Sequence, residues 1–196
     1  MNYSFTIREE DYQSLRAAVF SMEGTEGAAY VLCGESKTED ELRLLVRSVI
    51  PVLPEHYLAR QRDFLSIASE SYVRVAKLAQ RENLSIVFAH SHPGGFLEYS
   101  LQDDREEVKL QEFFSTRAPT HLHGSLVLAD DGVIGRIFDR EFAPFTRIRI
   151  IGQRFVFHDR VRGHIQNLHF FDRQVRAFGL EVQTLLKSLH IGVVGA

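Results

Sequence analysis

The chain has 196 residues, of which 44% are hydrophobic, and a formal net charge of -3. A chain of this length can bury a core around one main domain, and its lysines and arginines are scattered instead of gathered into the basic stripe that tracks a phosphate backbone. No apolar run approaches the roughly 20 residues of a membrane span, and the N-terminus lacks the apolar segment of a signal peptide, so we expect a cytoplasmic protein that binds neither nucleic acid nor membranes.

The first elements are predicted to be a helix and a buried strand. Apolar spacing indicates the helix over residues 9–20, and a continuous apolar run indicates the strand over residues 28–33, closed by Gly34. Cys33 is the only cysteine, which excludes an intrachain disulfide and a cysteine-rich zinc site. Its apolar neighbours indicate a buried thiol and not a nucleophile. Any metal must therefore be bound by histidine and carboxylate.

The middle of the chain is predicted to alternate between strand and helix. Residues 42–52 are typical of a strand, and Pro51 confines it to a sheet edge or places Pro51 at the strand's end. Apolar residues at spacings of three and four predict a helix over residues 69–82. Residues 84–89 are then a strongly apolar strand.

A polar, glycine-containing loop separates this strand from a helix predicted over residues 100–114. The side chains that suggest this helix of about four turns are Val108, Leu110, Phe113 and Phe114. Residues 124–138 are predicted to form a hairpin around Asp131-Gly132, and strand-like runs continue through 147–158. This mixed order of elements predicts an α+β fold, an α/β sandwich around one sheet.

The loop and its flanks contain the residues with the clearest chemistry. His90 and His92 follow the apolar strand two positions apart, a spacing of about 6.6 Å that directs both imidazoles to the same face of a strand. A catalytic zinc ion has three protein ligands and one position open to water. Asp103 can complete such a set if the loop folds back and places the next helix beside the strand end. These residues therefore predict a metal site.

Ordinary structural roles compete with this interpretation. A pair of histidines two residues apart is by itself more often a coincidence than a metal site. Ser100 and Asp103 also have the spacing of a helix capping box, although Ser100 can cap the helix while Asp103 reaches the metal. His121 and His123 form a second such pair with no acid at suitable spacing, and we interpret them as surface or core histidines.

The string His-Ser-His-Pro, then six residues, Ser, two residues and Asp resembles the signature of the JAB/MPN metalloproteases of the bacterial type, called the JAMM motif. The resemblance covers roughly residues 5–140 and implies a JAB/MPN-like mixed central sheet flanked by helices. It implies that His90, His92 and Asp103 bind one Zn2+ ion per chain. It also implies that Ser100 donates a hydrogen bond to the oxyanion formed during hydrolysis.

The same family uses a glutamate at the entry of a buried strand, where it activates the water on the metal and passes the proton to the leaving amine. Glu26 stands in that place, directly before the strand predicted over residues 28–33. Glu23 is the competitor, and either residue could be a solvated loop glutamate, as most glutamates are. Glu26 is preferred because it directly precedes the apolar strand.

The end of the chain carries a second resemblance. Residues 171–179, Phe-Asp-Arg-Gln-Val-Arg-Ala-Phe-Gly, and residues 191–196, Ile-Gly-Val-Val-Gly-Ala, are similar to the opening of ThiF-type adenylating domains, which activate ubiquitin and its relatives. An amphipathic helix followed by a strand is the plainer interpretation. We expect a metallopeptidase domain over residues 1–160, and over residues 161–196 a helical linker and the first strand of a ThiF-like domain that continues in a longer protein.

The two resemblances together imply a zinc metallopeptidase, an isopeptidase similar to the JAMM deubiquitinases. It would hydrolyse the bond after the C-terminal tail of a ubiquitin-like protein, in precursor processing or deconjugation. Two other functions remain open. The chain is a non-catalytic scaffold of the same fold, or it is a regulatory module that docks a ubiquitin-like protein for the attached adenylating domain.

Overall fold

The computed structural model describes residues 1–94, 97–119, 121–130, 132–153 and 155–159. The helices are α1 (Glu9–Val19), α2 (Ser69–Glu82) and α3 (Leu101–Arg117), with a 3-10 turn at Pro54–His56. The strands are β1 (Asn2–Arg8), β2 (Ala28–Lys37), β3 (Glu41–Pro51), β4 (Tyr57–Arg60), β5 (Leu65–Ile67), β6 (Ser85–Ser91), β7 (His123–Leu128), β8 (Val133–Asp139), β9 (Glu141–Pro144), β10 (Arg147–Ile151) and β11 (Phe155–Asp159).

One mixed sheet dominates the fold. Its nine strands follow the order β11-β10-β1-β3-β2-β6-β7-β8-β9, and β4 pairs with β5 in a separate two-stranded sheet. Strand β1 is parallel to β3 and β10, and β6 is parallel to β7, whereas the other pairs are antiparallel. This mixed sheet with three helices over the described residues confirms an α+β fold at the level of class.

Strands β2 and β6 contain the continuous apolar runs 28–33 and 86–89, because helices cover both faces of the sheet there. Along β6, Val87 and Ala89 join the core beneath α1, while Ile86 and Phe88 join the core that α2 and α3 cover. Successive side chains of a strand point to opposite faces. His90, two residues beyond Phe88, therefore lies on the face that α3 covers.

Several predicted elements have the expected positions. Helix α2 begins and ends where predicted, and α1 ends one residue earlier, at Val19. The hairpin predicted within residues 124–138 is the antiparallel pair β7 and β8. Among the helices of the described residues, none combines the length and the apolarity needed to cross a membrane.

The predicted end of the strand at Gly34 is wrong. Gly34 pairs with Leu45 inside β2, which continues to Lys37 after a register shift between Leu32 and Cys33. Pro51 is the last residue of β3, and β3 lies inside the sheet between β1 and β2. Of the two positions predicted for this proline, the strand end is therefore the observed one. The predictions for residues 161–196 lie outside the described residues.

Candidate metal centre

His90 and His92 converge at the end of β6. His90 is the penultimate residue of the strand, and the extended path continues past it, because the backbone N–H of His92 donates to the carbonyl of Leu128 on β7 at 2.9 Å. The two Nε2 atoms are 3.1 Å apart. The spacing of two residues therefore brings both imidazoles to one point, as predicted.

Asp103 reaches this point from the first turn of α3. Its Oδ1 lies 3.3 Å from the Nε2 of His90, and its Oδ2 lies 3.5 Å from the Nε2 of His92. Ser100 caps the same helix: its Oγ accepts from the Asp103 amide at 3.1 Å, and its own amide donates to Asp103 Oδ2 at 2.7 Å. The capping box and the approach to the histidines coexist, as expected from the sequence.

The three side chains form a group that can hold a metal ion. Their ligand atoms all lie within 4.8 Å of one another. Zinc bonds of 2.0–2.1 Å in a tetrahedral shell separate neighbouring ligand atoms by about 3.3 Å. Here the two Nε2 atoms are 3.1 Å apart, and each lies 3.3 or 3.5 Å from a different oxygen of Asp103. Burial alone would raise the pKa of the Asp103 carboxyl, but the neighbouring imidazoles of His90 and His92 and the hydrogen bond from the Ser100 amide hold it well below its usual range. The carboxylate is therefore ready to bind a cation.

Glu26 joins the cluster through the register of two strands. Ala28 pairs with His90 in the antiparallel β2–β6 ladder, and the contact continues as Ser91 donates its amide to the carbonyl of Gly27 at 3.0 Å. Glu26 lies two residues before Ala28, and His92 lies two residues after His90, so this antiparallel register places the two side chains next to each other. The Oε1 of Glu26 is 3.8 Å from the Nε2 of His92.

Burial distinguishes Glu26 from its competitor. Glu26 is 7% exposed, whereas Glu23 is exposed in the turn after α1. Loss of solvent raises the pKa of Glu26 to about 7, against the lowering effect of His90 and His92. The structure therefore brings Glu26, and not Glu23, to the cluster.

A cavity of about 660 Å³ opens in front of these residues. Glu26, His90, His92, Asp103 and Ser100 all line it. Its remaining wall is largely apolar and aromatic, and includes Tyr30, Phe64, Leu65, Ile67, Tyr72, Phe88, Leu110 and Phe113. Ligand pockets in proteins combine apolar walls with a few converging polar groups in this way.

Sequence reasoning missed a buried charged network behind His90. Glu107 is 4% exposed, and its Oε2 accepts from Ser125 Oγ at 2.6 Å and from Arg136 Nη2 at 2.7 Å. Burial raises the pKa of Glu107, while His90 and Arg136 act in the opposite direction. The signal that could have found it is the spacing, because Glu107 follows Asp103 by four residues and so lies on the same helix face.

The other titratable candidates have structural roles. Cys33 is fully buried, and burial raises the pKa of its thiol. His123 is a core histidine: its Nδ1 accepts from the Ile86 amide at 3.0 Å, and its Nε2 lies 3.1 Å from the carbonyl of Ala118. His121 lies with its Nδ1 3.2 Å from Glu35 Oε1. His123 thus has one of the two roles, surface or core, that the sequence predicted for this pair.

The fold and the site together define a mixed α/β protein with a candidate centre for one metal ion. No protein-family model matches the chain, and no curated protein matches it. Among solved structures, it is similar to the solution structure of protein DSY2949 from Desulfitobacterium hafniense, with 16% identity, 71% of this chain and 88% of that chain covered, and a TM-score of 0.46. A similarity at this level assigns neither a family nor a function.

Proposed function

We propose that this protein is a zinc-dependent peptidase or isopeptidase that hydrolyses the bond after the C-terminal tail of a ubiquitin-like protein. The observation that carries the proposal is the convergence of His90, His92 and Asp103, with the buried carboxylate of Glu26 beside them. Two imidazole nitrogens and one carboxylate suit zinc and leave a fourth position open. The motif that these residues share with the JAB/MPN metalloproteases supports the same reaction.

Bound zinc would supply Lewis acidity, polarising the scissile carbonyl and lowering the pKa of water toward about 7. Glu26 accepts the proton of the attacking water and delivers it to the leaving amine. A carboxyl whose pKa is about 7 in the metal-free protein can both take up and release a proton near neutral pH. Because water is the nucleophile, no acyl-enzyme forms.

Ser100 is the proposed oxyanion donor. Its Oγ accepts from the Asp103 amide, so the cap does not use the hydroxyl proton, and the residue lines the same cavity as the metal group. A hydroxyl that donates to the developing negative charge typically contributes on the order of 3 kcal/mol to stabilising the transition state.

The cavity offers a binding mode for an extended tail. All three residues of β5, Leu65–Ile67, line it, and among the described residues β5 pairs only with β4. An extended peptide can add to such a strand by β-augmentation, with its side chains in neighbouring pockets. The aromatic wall suits apolar side chains of that peptide.

The test measures bound zinc and the hydrolysis of ubiquitin-like fusions by the wild type, Glu26→Gln and the matched control Glu23→Gln. We expect about one zinc ion per chain in all three proteins, because neither glutamate is a ligand. We expect hydrolysis to fall by about 100-fold or more in Glu26→Gln and to stay unchanged in Glu23→Gln.

Each other outcome has a definite meaning. Zinc-free wild-type protein would refute the metallopeptidase, and full activity in Glu26→Gln would refute the role of Glu26. Protein that binds zinc and ubiquitin-like fusions tightly, yet cleaves none of them, would support the docking module instead.

A further inference from the structure

The two ring nitrogens of His90 face two different carboxylates. Nε2 points into the metal group, 3.3 Å from Asp103 Oδ1. On the opposite side of the ring, Nδ1 lies 3.5 Å from Glu107 Oε1. Among the described residues, neither this Nδ1 nor this Oε1 has a hydrogen-bond partner. Each atom is thus the available partner of the other.

Burial makes this pairing informative. An unpartnered polar atom in the interior costs stability, and for a charged group the cost is larger. Glu107 and His90 are 4% and 2% exposed, so solvent does not satisfy the two facing atoms. Shortening the separation by about half an ångström would form an ordinary N–H···O bond.

Arg136 holds Glu107 in this orientation. The guanidinium is stacked between two aromatic rings, 3.6 Å from the centroid of Tyr99 and 3.7 Å from that of Phe142. It donates to Glu107 Oε2 and also to Asp104 in the first turn of α3. Because Arg136 and Ser125 occupy Oε2, the other oxygen of Glu107 is left to face His90.

We propose that Glu107 is a positioning residue, locked by Arg136, that keeps the proton of His90 on Nδ1 and leaves Nε2 free to bind the metal. The inference rests on the metal site of the proposed function and not on the peptidase reaction. A carboxylate behind a histidine ligand fixes the tautomer and the ring orientation, and its loss typically weakens metal binding 10- to 100-fold.

The variant Glu107→Gln reverses the polarity of this contact. Arg136 and Ser125 both donate to the outer atom, so the glutamine oxygen faces them and its NH2 group faces His90 Nδ1. A donor at that position favours the tautomer with the proton on Nε2, which blocks the ligand atom. The matched control is Glu106→Gln, the exposed neighbour on the same helix, which pairs with Lys109 at 2.9 Å.

The first experiment measures Co2+ affinity by competition with a chromophoric chelator, and the visible spectrum of the cobalt protein. We expect affinity to fall about 10- to 100-fold in Glu107→Gln and to be unchanged in Glu106→Gln. Arg136→Lys keeps the positive charge but loses the planar guanidinium that donates to two groups at once, and its cobalt affinity should lie between those of the two glutamine variants. Affinity within about twofold of wild type in a folded Glu107→Gln would overturn the proposal.

A second measurement needs no variant. Nitrogen-15 NMR of histidine-labelled, metal-free wild type at alkaline pH, where a histidine ring carries one proton, reports which nitrogen of His90 carries it, and we expect Nδ1. A proton on Nε2 would overturn the proposal even if Glu107→Gln fails to fold. Wild-type protein that binds cobalt through this site but hydrolyses no ubiquitin-like fusion would refute the proposed function while leaving the positioning role intact.

Discussion

Acidification below pH 6.5 should destabilise this protein through His123. His123 is fully buried on β7, where its Nδ1 accepts from the Ile86 amide at 3.0 Å and its Nε2 faces the carbonyl of Ala118 at 3.1 Å. Protonation of Nδ1 would direct its new N–H against the N–H of Ile86, and the hydrogen bond between them would be lost. Burial accordingly lowers the pKa of His123 from 6.5 to about 4.

Proton linkage gives the direction and the size of this loss of stability. Between pH 6.5 and about 4, the unfolded state binds a proton that the folded state does not, so stability is full above this window and is lost as the pH falls through it. At about 1.36 kcal/mol per pH unit, the shift corresponds to roughly 3 kcal/mol. This is a large part of the stability of an ordinary domain, about 5–15 kcal/mol.

The assay is urea unfolding at several pH values between 7 and 4 for wild type, His123→Asn and the control His56→Gln. Asparagine can accept from the Ile86 amide through Oδ1 but does not titrate. His123→Asn should therefore be less stable at pH 7 but lose about 2–3 kcal/mol less on acidification than wild type. The control replaces His56, which lies in the 3-10 turn, and the stability of His56→Gln should depend on pH as that of wild type does. The same acid loss in wild type and His123→Asn would refute the reasoning.

Three further outcomes are expected. Glu41 accepts a hydrogen bond from Arg149 at 3.0 Å across the sheet, and hydrogen bonds from Ser4, Arg43 and Arg149 lower its pKa to about 2. In urea unfolding at pH 7, Glu41→Gln should reduce the free energy of unfolding by about 1 kcal/mol after allowance for solvent screening. This difference between the variant and wild type should vanish as the pH falls from 4.5 to about 2. Asp103→Asn should abolish cobalt binding while retaining the cap, whereas Ser100→Ala should retain cobalt and lose about 1 kcal/mol of stability, as measured by metal titration and calorimetry of both variants. Cys33 should react with a disulfide reagent only at the rate of unfolding, because its thiol is fully buried; rapid labelling of the native protein would contradict this.

Local patterns predicted the elements that carry the metal group. The apolar run of β6, the two-residue spacing of the histidines and the turn residues after them act over short distances, and the structure places His90 and His92 accordingly. The capping box is equally local, because Ser100 and Asp103 are three residues apart. For this reason the approach of Asp103 to the histidines could be anticipated from the sequence.

The position of Glu26 depends on a long-range register that no local pattern encodes. Pairing of Ala28 with His90 decides that Glu26 lies beside His92, and a slip of one residue would turn the carboxylate to the other face of the sheet. The same limitation applies to β1, which lies between β3 and β10. Strand β1 pairs with β10, which lies about 140 residues later in the chain, and no local pattern indicates such a pairing.

The inner face of α3 shows what hydrophobic patterning could not predict. Of the four apolar residues that indicated this helix, Phe114 is buried and Leu110 and Phe113 pack against the same core, but Glu107 and Gln111 are buried as well. The polar pair is accommodated because β7 and β8 supply partners: Arg136 and Ser125 for Glu107, and the carbonyl of Gly124 for the Gln111 amide at 2.9 Å. A periodicity of apolar residues contains no information about such partners.

This polar inner face explains how α3 can present Asp103 to the histidines at all. Residues 103, 107 and 111 follow one another at spacings of four and share one face, so the burial of Glu107 and Gln111 directs Asp103 toward the sheet. The network that anchors Glu107 therefore also sets the direction of Asp103. Sites at which local sequence preference and tertiary structure disagree are where function is expected to override packing. In this protein that disagreement is located directly behind the candidate metal centre.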